Sequence, residues 1–377
     1  MSTIINTRSP FYYKKTPTTS TISSAEFEIR IWSGLDSAVP TPADYTITKV
    51  PIDSSYVVIE VSELIRDYYE TSYGTSNIEA LWVEISYTLT LATTATETGS
   101  DLYLALDGYG MFEEGVNPRN GIVSTDATYT PTVLLSCNST MQFIQGRKIH
   151  IPVFIEQGVA VASGQLSASA TYDIVPDYWD ATATAGNLAL SQADTDDTDD
   201  KISYIVIDDT ENISDGDTLT ITDTLPADQT YTITFEEICE PKYEAYRVIF
   251  KNKFGALQDV WMNKKSVKTM SVNSESYKRN TLTYSTPTYS TTDHQTLTHN
   301  ISSVETIKLN SNYIPECLNS AFEELLLSDQ IWLESSTETL PVIIKTKRKT
   351  EKTGVNDKLI QYELEFDFAF EQINNIR

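Results

Sequence analysis

The sequence predicts a mainly β protein built from more than one domain, and three observations support this. Apolar residues alternate with polar ones in several segments, as at Phe27, Ile29 and Ile31, which is the period of a half-buried strand. Threonine is abundant, and its branched side chain fits a pleated surface. The chain has 377 residues, a length typical of two or three domains.

Residues 1–160 are predicted to form an N-terminal β-sandwich. The longest alternation here runs from Leu81 to Leu89, and shorter ones indicate further antiparallel strands. One short helix interrupts the strands near Ser62. Ser62 and Glu63 are favourable at a helix start, and apolar residues follow at helical spacing.

Residues 161–237 are predicted to form an acidic linker followed by a small middle β domain. The run Asp194–Asp200 is rich in aspartate, and such dense like charges repel one another, which favours a solvated loop. Carboxylates in that run could instead bind calcium, and the sequence leaves this alternative open. Short β-rich segments follow at 202–207 and 230–235.

Residues 238–377 are predicted to form a β-rich, ring-type assembly domain with one amphipathic helix at 315–328 and a long hairpin at 341–370. Pro315 suits the first turn of a helix, where its missing N–H leaves no hydrogen bond unmade. The apolar residues that follow lie on one helical face: Leu318, Ala321, Phe322, Leu325 and Leu326.

The last strand of this hairpin has the most regular alternation in the chain, with one apolar and one acidic face. Lysines alternate on the upstream strand at Lys345, Lys347 and Lys349, so ion pairs across the hairpin would help to fix its register. We expect the apolar face to serve as an assembly interface, formed by Tyr362, Leu364, Phe366, Phe368 and Phe370.

The charge of the chain is strongly negative and unevenly distributed. There are 53 acidic and 27 basic residues, for a net charge of −26, which argues against nucleic acid and anionic membranes as partners. Residues 1–235 carry −23 of this, whereas residues 236–377 carry only −3. A nearly neutral C-terminal part suits packing between subunits. The alternative is that the acidity only keeps the protein soluble.

Sequence signatures of catalysis are absent, including those of serine hydrolases, nucleotide-binding loops and zinc proteases. His294 and His299 are five residues apart, which places them on opposite faces of a strand and disfavours a shared metal. We therefore predict no enzymatic activity, no cofactor and no metal site. The first residues lack the pattern of a secretion signal, and the sequence has no apolar run long enough to span a membrane, so we expect neither a signal peptide nor a membrane-spanning segment.

Aromatic and cysteine residues leave further alternatives. Tyrosine is common, with 22 residues, and the pairs Tyr12-Tyr13 and Tyr68-Tyr69 could stack on sugars or belong to the core or to a subunit interface. The three cysteines are expected to be buried, reduced thiols.

Three groups of segments resemble virion structural proteins of tailed bacteriophages, especially those of phages that infect Bacteroidetes hosts. The segments are Arg8–Tyr13, Ile29–Gly34 and Ile59–Tyr68; then Tyr246–Gly255, Asp259–Trp261 and Lys264–Ser266; and then Trp332 onward, with Pro341–Ile344 and Tyr362–Phe366. The resemblance implies a tail or baseplate component in a virion assembled in the host cytoplasm. It implies contacts with copies of itself in a symmetric ring and with other virion proteins, and it leaves the station in the virion open.

Two other functional classes compete with this interpretation. A carbohydrate-binding or adhesin-like β-sandwich protein on the virion surface would need an exposed aromatic platform. A depolymerising enzyme would need two carboxylates at glycosidase spacing in a cleft, and so acidic a chain gives no specific signal for such a pair.

Overall fold

The structure is a computed structural model that describes residues 3–34, 37–52, 55–69, 80–118, 133–136, 139–155, 163–166, 173–175, 201–208, 210–222, 230–239, 241–282, 285, 287–349 and 359–373. The fold is mainly β, which confirms the predicted class. The chain divides into two compact units. Unit 1 consists of Met1–Cys239 with Lys251–Asp259, and unit 2 of Glu240–Phe250 with Val260–Arg377.

The strands of the N-terminal region follow one another with few helical elements between them. One short helix, α1 (Ser62–Arg66), follows the fifth strand. The strands are β1 (Thr3–Asn6), β2 (Tyr12–Lys15), β3 (Ile22–Trp32), β4 (Tyr45–Lys49), β5 (Val57–Glu60), β6 (Ala80–Leu91), β7 (Thr96–Leu106), β8 (Val133–Leu134), β9 (Thr140–Phe143), β10 (Ile149–Ile155), β11 (Ser163–Leu166), β12 (Asp173–Val175), β13 (Lys201–Ile207), β14 (Thr218–Thr222) and β15 (Thr230–Glu237).

The first core of unit 1 lies against a five-stranded sheet with the order β1-β7-β6-β3-β4. Successive side chains of β3 point to opposite faces of this sheet, and one face is buried. Phe27 and Ile29 are fully buried, whereas Glu26 is exposed. The two-stranded sheet of β2 and β5 contributes Tyr13 to the same core, and α1 contributes Ile65. Burial of these apolar side chains is the main driving force for this layer.

A second core in unit 1 lies between two four-stranded sheets. Their orders are β12-β13-β10-β8 and β11-β14-β15-β9, and Ile151, Ile205 and Phe235 are buried in the shared cluster. Strands β10 and β13 pair along their whole lengths, so this sheet crosses the predicted domain boundary at residue 160. The acidic run 194–200, with its calcium alternative, lies outside the described residues.

The segment Lys251–Asp259, which holds the turn between β16 and β17, is held within unit 1 by polar contacts. Lys251 Nζ lies 2.6 Å from Oδ2 of Asp107, and both side chains are almost fully buried. Arg8 donates a hydrogen bond of 2.7 Å from Nη2 to the carbonyl of Asn252. Gly255 has a φ of +88° and lies so close to Asp107 that an added Cβ would sit 2.8 Å from its carbonyl carbon.

The C-terminal strands form one seven-stranded sheet with the order β17-β16-β21-β22-β24-β19-β18. The elements are β16 (Tyr246–Lys251), β17 (Leu257–Met262), β18 (Val267–Lys278), β19 (Thr296–Asn310), β20 (Ile314–Pro315), α2 (Asn319–Leu327), β21 (Ile331–Glu334), β22 (Thr339–Ile344), β23 (Leu359–Ile360) and β24 (Glu363–Phe368). A single 3-10 turn, Glu316–Leu318, leads into α2.

The predicted helix and the terminal hairpin of unit 2 are both present, but α2 begins at Asn319, and Pro315 lies in β20 and not in the first turn of the helix. The apolar face of α2 packs on the sheet, and the rings of Phe322 and Tyr362 are 4.7 Å apart. β22 and β24 pair antiparallel, with Val342 opposite Phe368. The turn around Gly354 lies outside the described residues.

The ion pairs of the terminal hairpin differ in part from the predicted set. Lys345 Nζ lies 3.3 Å from Asp367, as expected for lysines opposite the acidic face. Lys349 instead pairs with Glu323 of α2 at 3.4 Å. The other carboxylates of β24 face Lys308 of β19, because β24 lies between β22 and β19.

Candidate assembly surface

Two strands of unit 2 extend beyond the sheet as a projecting ribbon. β18 pairs with β19 from Val267 to Lys278, whereas β24 pairs with β19 only from Thr306 to Asn310. From Met270 outward, therefore, no third strand in the described part of the chain pairs with the ribbon. Gln372, which follows β24, still donates a backbone hydrogen bond of 3.0 Å to the carbonyl of Ser303, so the base of this stretch is bordered by the chain. We call Met270–Lys278 together with 296–305 the arm. At about 3.4 Å per residue, the arm extends by roughly 27 Å.

A bulge bends the arm near its middle. Asn273 lies opposite Ser302, but Glu275 lies opposite His299, so β19 carries one extra residue at this point. Asn300 within it has a φ of +52°, a left-handed conformation that asparagine tolerates better than most residues. Bulges of this kind increase the local twist of a ribbon.

The arm exposes several large apolar side chains, which are Met270, Val272, Tyr277 and Ile301. Lys268 lies opposite Ile307, and Ile307 lies opposite Phe366. Met270 and Val272 follow Lys268 at intervals of two, so they continue the face that carries the buried core. The face of the sheet that is buried in the core therefore continues along the arm, where its apolar side chains are exposed. Exposed apolar patches of this kind are typical of interaction surfaces.

The outer edge of β18 is also exposed. β18 ends the order of its sheet, and all of its residues are exposed, so within the described residues no strand pairs with its outer N–H and C=O groups. Such an edge is a template for pairing with another strand. The segment 264–279 holds five basic residues and one acidic residue, so it is positive in a chain whose net charge is −26.

The predicted interface on β24 occupies a different place. Tyr362, Leu364, Phe366 and Phe368 are buried in the core of unit 2, and Phe370 alone is 40% exposed. Their side chains pack against α2 and the neighbouring strands, so four of the five cannot also present an exposed contact surface. An alternating apolar strand looks the same in sequence whether its own chain or a neighbour covers it.

The tyrosine pairs near the N-terminus divide between core and surface. Tyr13 is buried and donates a hydrogen bond of 2.7 Å to Asp101, whose carboxylate also lies 2.5 Å from Lys15. Burial and the contact with Asp101 raise the pKa of Tyr13 well above its usual value. Burial alone would raise the pKa of Asp101, but the hydrogen bonds from Lys15 and Tyr13 and the charge of Lys15 outweigh it and lower that pKa.

The second tyrosine pair contributes to the first core of unit 1. Tyr69 donates a hydrogen bond of 2.5 Å to the carbonyl of Ala105, and Tyr68 packs against the cluster. Burial and a hydrogen bond with Asp44 raise the pKa of Tyr68 to about 12. Tyr12 remains exposed. A sugar-stacking face formed by both members of each pair is therefore not present.

The candidate metal and thiol residues are dispersed. His150 is buried in β10, whereas His294 and His299 are exposed, and His299 Nε2 lies 3.4 Å from Glu275. Among the described residues no group of three His, Cys, Asp or Glu side chains could hold a metal ion, and no helix there is long and apolar enough to cross a membrane. Cys239 and Cys317 are exposed, contrary to the expectation of buried thiols.

A polar hollow of about 700 Å³ lies beyond the end of the arm strands. Its lining includes Arg279, Asn280, Tyr289, Asp293 and Gln295. Arg279 donates a hydrogen bond of 2.8 Å to the carbonyl of His294 and lies 4.0 Å from Asp293, so the guanidinium is held at the wall. The ring of Tyr289 is largely exposed.

These features define a β-rich, two-unit protein with an exposed two-stranded arm. No protein-family model matches the chain, and no curated protein matches it. A search of solved structures returns dimeric latent PorU from Porphyromonas gingivalis, with a TM-score of 0.21 and 10% sequence identity. That match covers 90% of this chain but only 31% of the other, and so weak a likeness carries no argument about fold or function.

Proposed function

We propose that this chain is a structural subunit of a tailed-phage virion, a tail or baseplate ring component that forms homo-oligomers through protein–protein contacts. The arm is the observation that supports the proposal most directly. It combines an exposed strand edge, exposed apolar side chains such as Met270 and Val272, and a length of roughly 27 Å without a third strand.

The physics of two-stranded ribbons favours an assembly role for the arm. A lone hairpin is marginally stable in water, and an exposed edge strand invites pairing with other chains. In an assembly, a neighbouring subunit that covers the ribbon stabilises the hairpin and pairs with its exposed edge. In a closed ring every subunit gives and receives the same contact, so no arm remains uncovered.

The distribution of charge supports different roles for the two parts of the subunit. Residues 236–377 carry a net charge of only −3, so copies of unit 2 can approach without strong repulsion. Residues 1–235 carry −23 and suit exposure to water or contact with a different virion protein. The segments that resemble virion proteins of tailed phages lie in both parts of the chain, which supports the assignment to a virion.

The test is the mass and symmetry of the purified chain, measured by mass photometry and negative-stain electron microscopy. We expect closed particles with one rotational symmetry at micromolar concentration. A chain that stays monomeric throughout the accessible concentration range would contradict self-assembly. Antibodies against the chain should then label the tail or baseplate of virions that contain it, and labelling of the capsid alone would contradict the assigned station.

A second candidate, carbohydrate binding on the virion surface, is favoured by the hollow beyond the arm. An exposed tyrosine beside planar polar side chains such as Asn280 and Gln295 suits stacking and hydrogen bonding to a sugar. A glycan array tests this candidate. Binding that Tyr289→Ala abolishes would favour it, with Tyr313→Ala as a matched exposed control.

A further inference from the structure

We infer that the outer edge of β18 binds the same edge of a second copy of this chain, antiparallel and across a two-fold axis at Val272. This inference rests on the proposed function, because it names the partner of the arm in the homo-oligomer. Its basis is that β18 is complementary to its own reversed copy. In one register its exposed apolar residues meet at the centre, and no like charges lie directly opposite each other.

The outer edge of β18 offers a regular row of backbone groups. Successive residues of a strand turn their N–H and C=O groups to opposite edges. Arg279, directly after β18, donates a backbone hydrogen bond to the carbonyl of Gln295, so the odd-numbered residues of this strand face β19. The even-numbered residues from Lys268 to Lys278 therefore point their N–H and C=O groups outward. Within the described residues no strand pairs with these groups.

A two-fold axis restricts how two copies of this edge can pair. The axis stands perpendicular to the sheet and keeps each face on its own side, and directly opposite residues of paired strands share a face. One residue therefore lies on the axis, opposite its own copy. An axis at Val272 pairs residues 267–277, an axis at Asn273 pairs residues 268–278, and every other axis pairs a shorter part of β18. These two registers give the most backbone pairing.

Charge distinguishes the two long registers. An axis at Asn273 would place Lys268 of each copy opposite Lys278 of the other. Like charges directly opposite each other destabilise a strand pair. With the axis at Val272, Lys268 lies opposite the uncharged Ser276. The axis at Val272 is therefore the one that combines long pairing with no directly opposed like charges.

The same register places apolar side chains at the centre of the contact. Val272 meets its own copy, and Met270 lies diagonally next to that copy, so exposed apolar side chains of both chains cover one another. On the other face, Tyr277 lies opposite Val267, which is a favourable aromatic and β-branched pair. An apolar centre with charges toward the ends is the usual arrangement of a protein interface.

Charges beyond the paired residues limit the length of the contact. In this register Lys265 comes opposite Arg279, and both residues are exposed. The guanidinium of Arg279 lies 4.0 Å from Asp293 of its own chain, and both cations can remain in water. The pairing therefore ends at residues 267 and 277.

A two-fold contact has a consequence for the symmetry of the particle. Each arm binds one other arm, and the contact is then complete. A ring held together by a different contact therefore pairs with a second ring through its arms. We expect particles with dihedral symmetry and an even number of subunits, in which no arm remains uncovered.

Single cysteines locate the axis in the full-length chain. In a Val272→Cys chain the paired thiols lie within disulfide reach, because opposite Cα atoms of a strand pair are about 5.5 Å apart. We expect mild oxidation to join most assembled chains through residue 272. Mass spectrometry of the unreduced peptides distinguishes this link from links through the exposed Cys239 or Cys317. Ser274→Cys is the matched control on the same edge, because its copy lies roughly 14 Å away along the strand, and it should not link to itself.

Two substitutions that add the same charge test the register by the sign of their effect. Thr269→Lys places a lysine opposite Glu275 of the second copy, whereas Ser276→Lys places one opposite Lys268. Sedimentation velocity gives the concentration of half-assembly for each protein. We expect it to fall about fivefold for Thr269→Lys and to rise about fivefold for Ser276→Lys, because the two-fold axis repeats each cross-strand pair. Equal melting temperatures of the unassembled chains confirm that both variants fold.

The outcomes separate the inference from the proposed function. Dimers linked through residue 272 without any ring would support the inference and contradict the proposed ring. Closed particles whose Val272→Cys chains form no link at residue 272 would overturn the inference alone. Two lysine variants that shift assembly in the same direction would overturn it as well. A link from residue 272 to another segment, or to a different virion protein, would show another occupant of this edge and would also overturn it.

Discussion

Tyr277 packs edge-on against the imidazole of His299 across the arm, with ring centroids 5.4 Å apart and ring planes at 78°. The carboxylate of Glu275 lies 3.4 Å from the same imidazole. Both contacts lie beyond the last rung that β24 covers. Each cross-strand pair of this kind is worth about 0.2–1 kcal/mol, which preorganises a ribbon but does not replace a core. The arm is therefore shaped before any partner covers it.

The bulge at Asn300 offers a local test of that preorganisation. Asn300→Val places a β-branched residue at a φ of +52° and should cost the arm about 1–2 kcal/mol, whereas Asn300→Gly should be tolerated. Hydrogen exchange of the arm amides should accelerate in the valine variant alone. The melting temperature of the whole chain should not change, because the arm lies outside the core. Equal exchange in both variants would contradict the assigned role of the bulge.

Because one face of β24 is buried in unit 2, substitutions on that face should lower the stability of the fold and should not act on assembly directly. Phe366 is fully buried, so Phe366→Ala should lower the free energy of unfolding of unit 2 by about 3–5 kcal/mol. Phe370→Ala, at a side chain that is 40% exposed, should cost less than about 1 kcal/mol. Urea denaturation followed by tryptophan fluorescence measures both. A Phe366→Ala variant with unchanged stability but lost assembly would restore β24 as the interface.

The contrast between β24 and β18 explains what the sequence could predict. β24 and α2 each bury one face, so alternation and helical spacing reveal residues such as Phe366 and Phe322. β18 buries no residue, and its apolar alternation is limited to Met270 and Val272, which is too short to predict a strand there. The sequence predicts the interface on the most apolar strand, but α2 covers that strand. Whether β24 is buried depends on α2, which is distant in sequence. The alternation of residues along β24 is the same whether or not a helix covers it.

The buried ion pair in unit 1 predicts a strongly non-additive mutant cycle. Lys251→Met leaves the carboxylate of Asp107 buried without its counter-charge and should cost about 3–5 kcal/mol. Adding Asp107→Leu removes that charge and should recover a large part of the loss. Urea denaturation of both variants and of Asp107→Leu alone gives the coupling energy. Additive losses would mean that the two groups act independently.

The contacts of Asp101 predict a loss of stability in acid. Its pKa lies below the usual value, so its ionised form stabilises the fold above the unfolded pKa of about 3.9. That stabilisation disappears as the pH falls through the lower, folded pKa. Asp101→Asn should therefore flatten the fall in stability below about pH 4, relative to the exposed control Glu113→Gln. Melting temperatures between about pH 2 and pH 6 test this, and identical profiles would contradict it.

Hydrogen exchange of β18 before and after assembly tests the assembly role of the arm most directly. The protein is compared below and above its half-assembly concentration, and exchange is read at Met270–Lys278. If a neighbour covers the arm, the outward amides of β18 should exchange at least about tenfold more slowly in the assembled state. Equal exchange of these amides in the monomer and in the assembled particle would contradict the account.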